Sequence, residues 1–131
     1  MKNRSAYILL LILPVFMLIY SSILRNAEGA FYLNTVYDPC YVYLISSLNL
    51  AQFTSPVHFD HPGTPVQFIG ALVLKLTHLI GGRSADISGD VLSDPEKYLG
   101  YIQFALVLIN SLVLFFTANI IYRVTGNLPA A

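Results

Sequence analysis

The chain has 131 residues, of which 56% are hydrophobic and only 11% are charged, and its mean hydropathy is +0.65. Its 7 basic and 7 acidic side chains give a formal net charge of zero, which argues against a nucleic-acid partner. The lone cysteine, Cys40, excludes an intrachain disulfide. This composition predicts an all-α integral membrane protein.

Two apolar runs without a charge predict transmembrane helices, over residues 6–24 and 99–122. Each is long enough to cross a hydrocarbon core of about 30 Å at about 1.5 Å per helical residue. Pro14 interrupts the first run, which indicates that this helix packs against other helices. A cleavable signal peptide is the alternative, because Lys2 and Arg4 precede the apolar run. The length of the run and its proline favour a retained anchor.

The distribution of charge predicts the orientation of both spans. Basic residues stand before the first span and, at Arg123, after the second, whereas every acidic residue lies between Glu28 and Glu96. The positive-inside rule therefore places both termini in the cytoplasm and residues 25–98 outside. We expect the chain in a plasma membrane, the inner membrane if the source is bacterial.

The connecting segment contains three helix-start signals, in each of which a capping residue precedes proline: Asp38 with Pro39, Thr64 with Pro65, and Asp94 with Pro95. The first two predict interfacial helices over about 39–53 and 65–80. Residues 81–93 are rich in Gly, Ser and Asp without hydrophobic periodicity, which predicts a mobile surface loop.

The apolar residues 66–80 allow a second interpretation. As a helix they span only about 22 Å, and burying Lys75 in the membrane costs about 3 kcal/mol or more. Both facts favour a helix at the interface over a crossing. The alternative, three crossings with Arg123 outside, stays open.

Asp38 is the candidate catalytic residue of the connecting segment. A carboxylate at the membrane surface among aromatic side chains such as Tyr41 suits a general base acting on a hydroxyl group. The alternative role of Asp38 is structural, since aspartate before proline caps a helix start.

Further polar residues of the segment are candidates for binding a substrate. His58, Asp60 and His61 have the chemistry of metal ligands, although a divalent metal has no other support and we assign no cofactor. Lys75 and Arg83, with His78 near them in sequence, suit a lipid phosphate. The alternatives are polar loop residues for the first group and snorkelling cations for the second.

The arrangement resembles the N-terminal part of the type-C integral membrane glycosyltransferases, which include protein mannosyltransferases and bacterial enzymes that add sugars to lipid A. The resemblance rests on an inward N-terminus and first span, followed by Tyr37, Asp38, Pro39, Cys40 and Tyr41, a His-Pro element in His61 to Gln67, Gly81 with Gly82, and a long helix ending in Tyr122 and Arg123.

This resemblance implies an inverting transfer of a sugar from a polyprenyl-phosphate donor to an unknown acceptor on the outer face of the membrane. Asp38 would be the general base, and His61 would lie near the donor phosphate. Because two or three helices cannot enclose both substrates, we expect a fragment of a longer chain that is inactive by itself. The competing hypothesis is a small non-enzymatic accessory or assembly protein of the membrane.

Overall fold

The computed structural model describes residues 4–33, 40–57 and 63–126, without the side chain of Arg4, and these residues are mostly helical and include no strand. This confirms the predicted all-α class. The elements in chain order are α1 (Arg4–Glu28), a short 3₁₀ turn (Phe31–Leu33), α2 (Cys40–Ala51), α3 (Gly63–Gly81), α4 (Ile87–Ser93) and α5 (Pro95–Thr125).

Within the described residues, three helices are long and apolar enough to cross a membrane: α1, α3 and α5. The chain is therefore a membrane protein, as predicted. The most apolar windows of α1 and α5 have mean hydropathies of 2.4 and 2.3, whereas that of α3 reaches only 1.3. Composition thus distinguishes α3 from the other two.

The chain divides into two compact units. In unit 1, formed by the described parts of 1–27 and 107–131, α1 runs through Pro14 as one continuous helix. The ring of Tyr7 near the start of α1 meets that of Tyr122 near the end of α5 edge-on, with centroids 6.3 Å apart. The small residues Ala6 and Ala118 are buried within this unit.

Unit 2 comprises the described residues of 28–106 and has its own hydrophobic core. The core joins α2, α3, α4 and the first part of α5 through Leu44, Leu48, Leu74, Val91, Tyr98, Leu99 and Ile102. Helices α2 and α3 approach closely where Gly70 faces Ser47, since a Cβ on Gly70 would lie 2.8 Å from the Cβ of Ser47. Small residues at a crossing let helix backbones approach in this way.

The three predicted helix starts have different outcomes. Asp94 caps α5 as predicted, because its side chain accepts a hydrogen bond from the Lys97 N–H at 3.3 Å. The predicted cap at Thr64 is wrong, since α3 already begins at Gly63, where the chain packs closely against Tyr43 of α2. Asp38 lies outside the described residues.

The loop predicted over residues 81–93 is also wrong, because Ile87–Ser93 forms α4. Asp86 caps this helix by accepting a hydrogen bond from the Gly89 N–H at 3.2 Å. Val91, on the following turn, is fully buried in the core of unit 2. The polar composition of the segment predicts a loop, whereas a short helix forms there because Asp86 caps it and Val91 is buried.

Candidate functional site

The predicted site residues are only partly covered by the structure. Asp38, His58, Asp60 and His61 lie outside the described residues, whereas Tyr41, Lys75 and Arg83 are described. Among the described residues, no group of three or more His, Cys, Asp or Glu side chains could hold a metal ion.

Glu96, in the first turn of α5, holds together both sides of the segment that contains Asp38. One carboxylate oxygen of Glu96 accepts a hydrogen bond from the Phe31 N–H at 2.8 Å, and the other accepts one from the Tyr41 hydroxyl. Phe31 precedes residues 34–39 and Tyr41 follows them. One carboxylate therefore joins a residue before this segment to a residue after it. We call this pair of hydrogen bonds the Glu96 clamp.

Tyr41 supplies the hydroxyl donor of the Glu96 clamp. Its hydrogen bond to Glu96, supported by burial and by the negative charge of that carboxylate, raises the pKa of Tyr41 to about 12. The phenol therefore stays protonated at neutral pH and donates to Glu96. Its hydroxyl is engaged inside the protein, and the partly buried Tyr41 packs against the hydrophobic core of unit 2.

A second polar cluster joins α3 to α4 around the buried carboxylate of Asp90. One oxygen of Asp90 accepts hydrogen bonds from the backbone N–H groups of Arg83 at 2.9 Å and Ser84 at 2.7 Å. The other oxygen contacts Nδ1 of His78. These contacts, with that of His78 first, hold the pKa of Asp90 well below its usual range. Because an ionised carboxylate only accepts hydrogen bonds, Nδ1 of His78 carries the hydrogen.

Gly82 allows the Asp90 cluster to form because it has no side chain. A Cβ at this position would lie 2.6 Å from both Oδ2 of Asp90 and the carbonyl oxygen of His78. Any side chain here would have to displace the carboxylate or the end of α3. The Asp90 cluster is thus a packed link between two helices, with the Arg83 side chain exposed beside it.

Lys75 has a different partner from Arg83. Its ammonium group lies 3.6 Å from the centroid of the Phe53 ring, in a cation–π contact. The two predicted phosphate-binding cations therefore lie in different surroundings. Arg83 lies beside the Asp90 cluster, and Lys75 lies over an aromatic ring.

Phe53 owes its position to an unusual helix end. Thr54 donates its N–H to the Asn49 carbonyl at 2.9 Å and Phe53 donates to Leu50 at 3.0 Å, which is the Schellman pattern at the end of α2. This pattern needs a left-handed residue after the helix, usually glycine, and here Phe53 has a φ of 60°. A side chain in this conformation costs about 1–2 kcal/mol, yet the ring is 90% exposed.

An open groove of about 600 Å³ lies between the end of α2 and α3. Its walls are the last turn of α2, residues 53–56 of the following turn, and the α3 side chains Phe68, Ala71, Leu72 and Lys75. Among the described residues that line the groove, Lys75 is the charged one, and most of the others are apolar.

Three features of these sites differ in how far the sequence signals them. Glu96 follows the correctly predicted Asp94–Pro95 start, but its contacts lie 55 and 65 residues away in the chain, so no local signal identifies them. Asp90 has a local signal, because it falls in the first turn of a helix capped by Asp86. Phe53 has none, since the left-handed position after a helix predicts glycine.

Comparison with known proteins finds no match, whether among protein families, curated proteins or solved structures.

Proposed function

We propose that this chain forms the first part of a membrane glycosyltransferase that moves a sugar from a polyprenyl-phosphate donor to an acceptor on the outer face of the membrane. Asp38 is the general base, and further transmembrane helices complete the enzyme. The Glu96 clamp is the observation that carries the proposal, because it ties together the chain on both sides of the candidate base.

The clamp also supports the topology that this function requires. Phe31 comes shortly after the end of α1, and Glu96 lies in the first turn of α5, yet the two are joined by a hydrogen bond of 2.8 Å. If α3 crossed the membrane, these two points would lie on opposite faces, separated by a hydrocarbon core of about 30 Å. The contact therefore favours two crossings with α3 at the interface. The basic termini support an outside location for the connecting segment.

In this function the acceptor hydroxyl loses its proton to the Asp38 carboxylate while its oxygen forms a bond to the anomeric carbon of the sugar. The bond from that carbon to the polyprenyl-phosphate oxygen breaks, and the phosphate leaves with the electron pair. His61, His58 and Asp60 belong to the donor side, and the exposed Arg83 is a candidate for the donor phosphate. The ring of Tyr41 contributes an aromatic wall.

The test is sugar transfer by the full-length enzyme carrying Asp38→Asn, assayed in isolated membranes with the lipid-linked sugar pool as donor. We expect transfer to be abolished while the amount of protein in the membrane is unchanged. Asp94→Asn is the matched control, because it removes the charge of the Asp94 cap while the amide oxygen can still accept the Lys97 hydrogen bond, and transfer should stay measurable. Full activity of Asp38→Asn would refute the base assignment.

A non-enzymatic accessory protein is the second candidate. It is favoured by the acidic residues Asp86, Asp90 and Asp94, which are all engaged in caps or hydrogen bonds inside the fold. In that case Asp38→Asn and Asp94→Asn would alter stability or assembly alike, and neither would change a sugar-transfer reaction.

A further inference from the structure

We propose that the groove between α2 and α3 binds an anionic membrane phospholipid, with the phosphate on Lys75 and an acyl chain against the apolar walls. The inference depends on the protein lying in a membrane and is independent of the sugar-transfer activity. Its first support is size, since about 600 Å³ falls within the range of roughly 300–1,000 Å³ that is typical of small-ligand sites.

Charge is the second support. Lys75 is the cation of a mostly apolar groove, and its ammonium group contacts the neutral ring of Phe53. Within the described part of the chain, no carboxylate forms an ion pair with it. A cation on an apolar surface of a membrane protein is stabilised by a counter-anion, and the phosphate of a lipid headgroup is the anion that such a surface meets.

The third support is the way Phe53 is held. The hydrogen bonds at the end of α2 fix its backbone in the left-handed conformation, which places a ring that is 90% exposed beneath the ammonium group of Lys75. The cation is therefore positioned over the hydrogen-bonded end of α2. Nothing in the core of unit 2 requires this ring, because it covers almost no protein surface.

The neighbouring surface supports an acyl chain as the apolar part of the ligand. Phe68 and Leu72 line the groove and are 59% and 49% exposed, and Leu76 on the next turn of α3 is 57% exposed. The groove thus opens onto an apolar helix surface that continues along α3. A phospholipid satisfies both this surface and Lys75, whereas another apolar helix would leave the cation without an anion.

Native mass spectrometry of the purified protein tests the assignment, with phosphatidylglycerol and phosphatidylcholine of identical acyl chains as the probes. We expect phosphatidylglycerol to bind more tightly, and Lys75→Gln to weaken its binding about five-fold. Lys97→Gln is the matched control, since Lys97 is also a lysine near aromatic rings, those of Tyr98 and Tyr101, and lies outside the groove. It should leave phosphatidylglycerol binding unchanged.

A second variant tests the groove without altering charge. Leu72→Trp places a larger side chain at a half-exposed position of the groove, so we expect weaker phosphatidylglycerol binding with an unchanged helical circular-dichroism spectrum. Equal binding of the two lipids, or equal effects of Lys75→Gln and Lys97→Gln, would overturn the proposal. Displacement of phosphatidylglycerol by a lower concentration of polyprenyl phosphate would also overturn it and assign the groove to the lipid-linked donor.

Discussion

Replacing Glu96 by glutamine tests the clamp that ties together the two sides of residues 34–39. The amide keeps the size of the side chain but loses its charge and one of the two acceptor oxygens that Phe31 and Tyr41 use. A hydrogen bond to a charged group contributes about 1.5–3 kcal/mol and a neutral one about 0.5–1.5. Losing one charged bond and turning the other into a neutral one should together cost about 3 kcal/mol locally, which corresponds to a roughly 150-fold larger open fraction.

The half-buried thiol of Cys40, adjacent to Tyr41, reports this opening. We expect its maleimide labelling rate in detergent to rise roughly 150-fold in Glu96→Gln, provided that opening and closing are fast relative to labelling. Tyr41→Phe should raise the rate too, and the double variant should exceed the stronger single variant only slightly, because both changes act on one interaction. Asp94→Asn is the control. A Glu96→Gln rate within two-fold of the unmodified chain, with equal rates after denaturation, would refute the clamp.

Two further predictions concern the packing of unit 2. Gly70→Ala should lower the free energy of unfolding in detergent by about 1 kcal/mol, because overpacking costs about 1–3 kcal/mol and the higher helix propensity of alanine returns about 1 kcal/mol. This loss should disappear in a Ser47→Gly background. A loss that persists there would contradict the Gly70–Ser47 contact. Because the pKa of Asp90 is lowered in the folded state, its carboxylate stabilises the fold above about pH 4, and this stability is lost as the pH falls through the lowered pKa. Unfolding titrations should therefore show a smaller loss of stability in acid for Asp90→Asn, and an unchanged pH dependence would exclude this role.

Local patterns in the sequence are sufficient to predict the three long apolar helices and the capped start of α5. The apolar runs predict α1 and α5 because a helix that crosses a lipid bilayer must be long and carry few charges. Both properties can be read directly from a continuous stretch of sequence. Helix α4 was missed because its stability depends on few residues: the Asp86 cap, buried Val91 and the hydrogen bonds to Asp90. A short helix of this kind has too little periodicity to stand out from a polar loop.

The candidate sites depend on long-range contacts, which explains why they were harder to predict. Tyr41 was selected for its aromatic ring, but its hydroxyl bonds to Glu96, a residue that no local pattern connects to it. Lys75 was selected as a phosphate ligand, and only the folded chain shows that Phe53 lies beneath it. The roles of Asp38, His58, Asp60 and His61 stay predictions, since these residues lie outside the described part of the chain.

The sidedness of unit 2 decides most directly between the two topologies, and it is measured by labelling single cysteines in intact cells with a membrane-impermeant maleimide. One chain carries Cys40 alone, and the other carries Leu92→Cys, at a residue of α4 that is 59% exposed, in a Cys40→Ser background. If α3 lies at the outer interface, both positions should be labelled from outside, with denatured samples as the control for accessibility. Labelling of Leu92→Cys only after the membrane is opened would show that α3 crosses, and the same result for Cys40 would reverse the topology and contradict the glycosyltransferase proposal.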